Sequence, residues 1–514
     1  MRPEFIPYQP ETDLVYLDSK KRSEERRPKL PAYQETHQLD DVSYVKTEDI
    51  PLNRRNFVYR PCLPNPLFTE LGYCTTEYPF DVSGVSIQDR SDGISLVSGA
   101  NHTVGVTQSN GWRTARSDVC IKEGSAYWEV EVVNNGECEE SLETSSVQQR
   151  RQFMNSSAHI RLGITRREAS LEGPVGFDSY GYGVRDFSLE SIHDGKLQQV
   201  LSKAPMLKKG DRLGFLVKLP SMEEQIKQAE EYTNRRLEAM ISHGNVRKES
   251  SVDHDSYYTE TQRKKQKRAT TNADFQRALL EDIDHTNVIR DHIPIRYKNQ
   301  LFYEATDYVK TTKPEYYSSD KRERQDYYTL ADSYMAVYLN GEYLGKAFED
   351  LKPFLPPFSE LQYNEKFYYG YWKHGTATTA IASDTASTAQ SADSTTNVGS
   401  DTLTQAQRGT AQGLILRNKY VNNNKLGYYP TLSCFKGGTA KIITNREDLH
   451  YLTSVDGHPG DSTSTSIGTG TGTGTASDRN IYVLDELYRA QIAEDLVWDI
   501  IDEVEEESKS LLLV

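Results

Sequence analysis

A run of strict alternation constrains this chain most. In GWRTARSDVCIKEGSAYWEVEVV, residues 111–133, Tyr127, Glu129, Glu131 and Val133 alternate with Trp128, Val130 and Val132. Successive side chains of an extended strand point to opposite faces, so this pattern gives one apolar face and one face that carries charge. Lys122-Glu123-Gly124 supplies a turn before it, with Gly124 able to take a positive φ. Two paired strands alone are not stable, and their apolar face needs a second sheet. The stretch therefore predicts a β-sandwich with Trp112 and Trp128 in its core and Glu129 and Glu131 toward solvent.

Further short strands are expected at 85–87, 94–97 and 111–116, in AHIRLGITRRE with Ile160, Leu162 and Ile164 on one face, and in GDRLGFLVKLP. SYMAVYLNGEYLGKAFEDL reads as a hairpin about Asn340-Gly341, a pair that tolerates the positive φ values of a type I′ turn. LGYYPTLSCFKGGTAKIITN supplies two last strands about Gly437-Gly438, which would close the sheet. Residues 1–50, with the mixed-charge run KKRSEERR, read as a disordered arm. The sandwich then spans 51–452, with insertions at about 134–158, 221–290 and 375–425. A Thr/Gly/Ser linker follows over 453–477, then a helix over 478–507 and a tail over 508–514.

Of the 514 residues 36% are hydrophobic, and the mean hydropathy is -0.70, so one large domain with much disorder is expected. A net charge of -15 argues against a surface devoted to nucleic acid. A local exception is RKKQKR, where Arg263, Lys264, Lys265, Lys267 and Arg268 read as a nuclear import signal, a phosphate contact or a solvated insertion. The five cysteines form no CxxC pair, which suggests neither a disulfide framework nor a zinc finger. No apolar run is long enough to span a membrane, and MRPEFIPYQPETD lacks the apolar core of a secretion signal, so an intracellular soluble chain is expected. His254 between Asp253 and Asp255 lacks a second ligand cluster, and the Gly residues of GTGTGTG are not followed by the Lys of a phosphate loop. Neither paired acids in a cleft nor a Ser/His/Asp set stands out, so no catalytic residue, metal or cofactor is expected.

In DRNIYVLDELYRAQIAEDLVWDIIDEVEEESKS, Tyr488, Ile492, Leu496, Ile500 and Val504 recur every fourth residue beside Ala493, Val497 and Ile501. This is an amphipathic helix on a flexible tether, whose apolar stripe must dock on the domain or on another protein. Burying about eight such side chains at roughly 1.5 kcal/mol each would yield about 12 kcal/mol before ordering and association costs.

In the order of its sandwich segments the chain resembles the SPRY domain, a two-sheet interaction module. Three groups of motifs narrow the likeness to the Ash-2-like subunits of COMPASS histone methyltransferases, in their fungal form. They are GWRTARSDVCIKEGSAYWEVEV; HIRLGITR with EGPVGFDSYGYGVRDF; and IPIRYKNQLFYE, VYLNGEYLGKAFEDL and YYPTLSCF with the tail helix RAQIAEDLVWDIIDEVE. They cover about half of the chain. The resemblance implies a non-catalytic nuclear subunit that binds a WD-repeat partner through Arg116, Pro174, Phe177, Tyr182 and Arg185. It implies a Dpy-30-type dimer on the tail helix, catalysis by a SET-domain methyltransferase, and a nucleosome substrate with or without local DNA contact. A basic position of the family shortly after Arg185 is Phe187 here, and no Cys cluster precedes the sandwich, so zinc-dependent recognition is not implied. From the residues alone, Arg116 and Arg185 are either carboxylate ligands or solvated, and Phe177, Tyr180 and Tyr182 either line a groove or edge the core. A substrate adaptor of a ubiquitin ligase and a carbohydrate-binding sandwich are the alternative functions.

Overall fold

The computed structural model describes residues 33–47, 50–53, 57–61, 83–97, 101–136, 147–201, 207–249, 293–297, 300–306, 329–355, 425–456 and 481–512. Among them, two sheets lie face to face. The ten-stranded sheet runs in the order β1 (Tyr33–Leu39), β2 (Val42–Thr47), β5 (Ser95–Val97), β6 (Thr103–Gly105), β19 (Thr439–Ile443), β8 (Gly124–Asn134), β13 (Arg212–Leu219), β16 (Tyr334–Leu339) and β17 (Glu342–Glu349). Its tenth strand, β20 (Ile481–Val483), pairs with β8 in parallel, and every other pairing is antiparallel. The seven-stranded sheet runs β12 (Lys196–Gln198), β11 (Ser191–His193), β10 (Gly181–Arg185), β9 (His159–Thr165), β18 (Tyr429–Phe435), β7 (Arg113–Ser117) and β4 (Val85–Arg90). A small sheet of β14 (Ile293–Tyr297), β15 (Gln300–Thr306) and β3 (Phe57–Pro61) stands beside them.

The alternation of β8 builds the core. Trp128, Val130 and Val132 pack in one cluster with Ile160, Leu162 and Ile164 of the opposite sheet, and Trp128 stacks on Phe215 at 5.5 Å between ring centres. The sandwich expected from residues 111–133 is present.

The other face of β8 departs from expectation. Glu129 is fully buried, and Glu131 is half-buried beside Arg212 at 3.2 Å. A third layer covers this face: Leu449 with Leu452 and Val455 of a short helix α3 (Leu452–Asp456) packs on Tyr127, Leu216 and Tyr338. A carboxylate without water needs donors. Glu129 accepts the backbone N–H of Tyr451 (2.8 Å) and of His450 (3.2 Å), the Tyr127 hydroxyl (3.2 Å) and Arg212 (3.4 Å). Glu129 thus pins the covering segment instead of facing solvent.

The arm expected over 1–50 also needs correction. β1 and β2 form a hairpin about Asp40 and Asp41, at φ 49° and 63°, and bury Tyr44 and Val45 against the large sheet. Asp, like Asn, tolerates this left-handed region, so DD serves as a two-residue turn. The Asn340-Gly341 hairpin forms with φ 49° and 88°. The final strands, in contrast, do not close one sheet: β18 belongs to the smaller sheet and β19 to the larger, so the tight turn at Lys436-Gly437 is a crossover. Within the expected insertions lie helices α1 (Val147–Ser156) and α2 (Met222–Glu249), the latter burying Ala229 and Tyr232. The tract expected as a linker lies outside the described residues from 457 to 477, as do nearly all of 375–425 and the whole 263–268 basic run.

Candidate functional site

The loop of residues 166–180 joins β9 to β10, and its frame is polar. Arg116 of β7 is 3% exposed; its guanidinium donates to both Asp89 oxygens, at 2.8 and 3.0 Å, and to the carbonyls of Arg166 (3.3 Å) and Ala169 (3.1 Å). Burial alone would raise the Asp89 carboxyl, but the Arg116 and Arg167 charges outweigh it and hold it below its ordinary value. Arg166 pairs with Glu168 and donates to the Pro353 carbonyl at 2.9 Å. Asp178 accepts the backbone N–H of Ser170 (3.1 Å) and of Tyr180 (3.0 Å).

This frame presents few side chains. Phe177, whose N–H donates to the Pro174 carbonyl at 3.1 Å, is 63% exposed. The loop lies directly on the sheet: a Cβ at Gly183 would meet the Val175 carbonyl at 2.8 Å, and Gly176 takes φ 77° with a would-be Cβ 2.3 Å from the Ile192 carbonyl. Tyr182 and Val184 of β10 point inward, so Arg185 points out, where it donates to Glu190 at 2.6 Å. Its register partner on β9 is Arg161, which lies 4.9 Å over the Trp112 ring and donates to the Val175 carbonyl at 3.3 Å. Burial, aided by the Arg185 charge, pushes the Arg161 guanidinium down to about 10. Two like charges directly opposite on neighbouring strands repel, and the Glu190 carboxylate offsets the charge of Arg185 at the rim of the loop.

Of the expected contact residues, the structure gathers Pro174, Phe177 and Arg185 on that rim. Arg116 lies beneath it as scaffold. Tyr182, 4% exposed, stacks on His193 at 4.2 Å and accepts the Lys352 N–H at 2.9 Å, and burial raises its phenol. Trp112, expected in the core, is instead half-buried beside the rim, and Arg161 lies buried beneath it at 9% exposure. The alternation of Arg161 with Ile160 and Leu162 turned it away from the core, but only the structure shows it covered by Trp112 and the loop.

One further cluster has the spacing of a nucleophile triad. His159 Nδ1 lies 3.0 Å from Asp186 Oδ2, and His159 Nε2 lies 2.9 Å from Ser157 Oγ. The Ser157 hydroxyl, however, donates its one proton to the Phe153 carbonyl at 2.6 Å, away from the ring, so it is not set up as a nucleophile. The cluster ties the end of α1 to β9.

The C-terminal helix α4 (Leu484–Leu512) does not stand on a tether. β20 anchors it to β8, and Leu484 and Tyr488 enter the sandwich core at 0% and 2% exposure. The Glu486 carboxylate bonds Arg446, which holds it below its ordinary value, and accepts the Val483 N–H at 3.1 Å as an N-terminal cap. Beyond Tyr488 the usual polarity inverts. Gln491, Asp495 and Asp499 turn inward at 8%, 5% and 4% exposure, whereas Val497 and Ile501 are 55% and 37% exposed and Ala493 lies on the same outer face. Leu496, Ile500 and Val504 flank that face, half-buried, whereas the half-buried Ile492 packs against the sandwich core. Tyr488 is therefore core and unavailable to a partner.

The COMPASS component BRE2 of Saccharomyces cerevisiae is 52% identical to this chain over 524 residues, covering 98% of each. The chain belongs to this family of COMPASS components. COMPASS component cclA of Colletotrichum higginsianum is 26% identical over 90% of this chain and 69% of its own length. Set1 complex component ash2 of Schizosaccharomyces pombe is 24% identical over 93% of this chain and half of its own length. No family model matches the chain. Among solved structures, the SPRY domain of human HERC1 overlaps 26% of this chain and 69% of its own at 13% identity and a TM-score of 0.20, too slight a likeness to argue from.

Proposed function

We propose that this COMPASS-family chain is a non-catalytic nuclear scaffold. It holds a WD-repeat subunit on the rim of Pro174, Phe177 and Arg185, and a Dpy-30-type dimer on the outer face of α4. By binding both it favours the active arrangement of a SET-domain subunit that methylates lysine 4 of histone three on the nucleosome, a population shift through differential binding. The basic run at 263–268 serves nuclear import or contacts nucleosomal phosphates.

The observation that carries this reading is the inverted polarity of α4. A surface helix ordinarily buries its apolar stripe. Here Val497 and Ile501 stay exposed while Asp495 and Asp499 are buried. With Tyr488 in the core and Ile492 packed against it, about six apolar side chains remain for a partner, roughly 9 kcal/mol gross, enough for a stable complex after association costs.

The test is titration calorimetry of the full chain with a Dpy-30-type dimer and, separately, with the WD-repeat subunit, followed by methyl transfer to nucleosomes with and without the chain. Tight binding of both and several-fold stimulation support the reading. Binding of neither, or turnover by the chain alone, sinks it.

A further inference from the structure

The inward face of α4 carries more polar contacts than anchoring a helix requires. Gln491 satisfies two backbone groups of one strand end: its Oε1 accepts the Cys120 N–H at 3.1 Å and its Nε2 donates to the Asp118 carbonyl at 2.9 Å. One turn on, the buried Asp495 carboxylate accepts from Lys425 at 3.0 Å and lies 3.9 Å from Arg60, both cations being 3% exposed at the side chain. Beside it, Glu494 pairs with Lys122 at 2.9 Å. Lys122 itself is held in place, because its carbonyl accepts Gln225 of α2 at 2.8 Å. The helix is thus tied to β3 of the small sheet and to the segments of residues 118–122 and 425, with α2 behind them.

We propose that Gln491 and Asp495, with Glu494 at the edge, form a latch that keeps α4 on the sandwich while a partner occupies its outer face, so that the chain presents that partner in one fixed direction. Gln491 and Asp495 are turned away from the exposed Ala493, Val497 and Ile501, with the partly exposed Glu494 at the edge between the two sides, so occupying the outer side does not require vacating the inner one. Withdrawing the helix would strand Lys425 and Arg60, two buried cations, without their carboxylate, which is costly. The chain is then a rigid bracket rather than a tether, and Gln491 and Asp495 are positioning residues. This inference rests on the reading of α4 as the dimer-binding helix.

The Lys122–Glu494 pair supplies its own reporter, since a carbodiimide joins a lysine to a carboxylate only where they touch. The full chain is treated alone and after saturation with a Dpy-30-type dimer, and the Lys122–Glu494 amide is measured by peptide mass spectrometry. The expected result is a yield unchanged within about twofold on adding the dimer, and a cross-linked chain that still binds it. Asp495→Asn and, as a milder variant less apt to disturb folding, Gln491→Ala should lower the yield on the order of tenfold. Both should still bind the dimer yet lose stimulation of methyl transfer. Disappearance of the amide on dimer binding, or refusal of the cross-linked chain to bind, overturns the latch. Failure of the native chain to bind the dimer at all overturns instead the functional reading beneath it, and with it the claim about the bound state.

Discussion

At the loop of residues 166–180 the polar groups form an internal frame and one aromatic ring is left outside, whereas on α4 the polar groups face the sandwich and the aliphatic ones face out. Arg116, Asp89, Arg166 and Asp178 fix the loop backbone, so Phe177 and Arg185 are displayed at little entropic cost when a partner arrives. The helix is fixed by Gln491 and Asp495 and displays Val497 and Ile501. The difference teaches that display and anchoring are separate jobs. Arg116, buried on β7, serves the second, and the exposed side chains of the rim serve the first. It also predicts two kinds of recognition: a charge-assisted contact with an aromatic anchor at the rim, and apolar burial on the helix.

The comparison breaks most visibly at its anchors. Arg116→Ala leaves the Asp89 carboxylate buried without its bidentate partner, and urea denaturation should register a loss of about 3 to 5 kcal/mol; an unchanged midpoint would mean that Arg116 is not the scaffold described. Val497→Glu should weaken dimer binding on the order of a hundredfold by placing a charge in an apolar contact, while the WD-repeat affinity and the melting temperature of the free chain stay put. Phe177→Ala should act in the reciprocal sense, costing about tenfold in WD-repeat affinity with the dimer unaffected, as calorimetry on both partners would establish. If either variant weakens both partners equally, the two surfaces are not independent.

Smaller effects sharpen the contrast. Raising salt from about 50 to 300 mM should weaken the WD-repeat contact by about twofold to threefold, since Arg185 acts through screened charge, and leave the dimer contact nearly unchanged. The least effect concerns pH. The Asp89 carboxyl is held below its ordinary value, so the stability it contributes is complete above the unfolded carboxyl value of about 3.9 and is lost as pH falls through the lower folded value. Asp89→Asn should therefore flatten the acid limb of a stability-against-pH curve; an identical limb in variant and native chain would assign that pH dependence elsewhere.

How far the sequence was legible varies with the distance over which a contact is made. Trp128, Val130 and Val132 shared a face because a strand has period two, and Asn340-Gly341 made a hairpin because its geometry is local. Glu129 shared its face with Tyr127 for the same reason, but nothing nearby in sequence announced that residues 449–455 would cover it. Arg116 and Arg161 are both arginines on strands. Both are buried in the structure, one over Asp89 and the other under Trp112, which strand periodicity alone does not announce.

The sequence by itself determined the local periods: alternating strands enough for a sandwich, a hairpin at 340–341, and a long amphipathic helix at the C-terminal end. Tertiary structure alone decided which face of each element lies inside. It sent β18 and β19 into different sheets, drew residues 33–47 into the larger one, and turned the polar side of α4 toward Lys425 and Arg60. The reason is physical. A period specifies which side chains travel together, whereas burial is settled by what arrives on the other side, and here the arriving groups come from positions tens to hundreds of residues away.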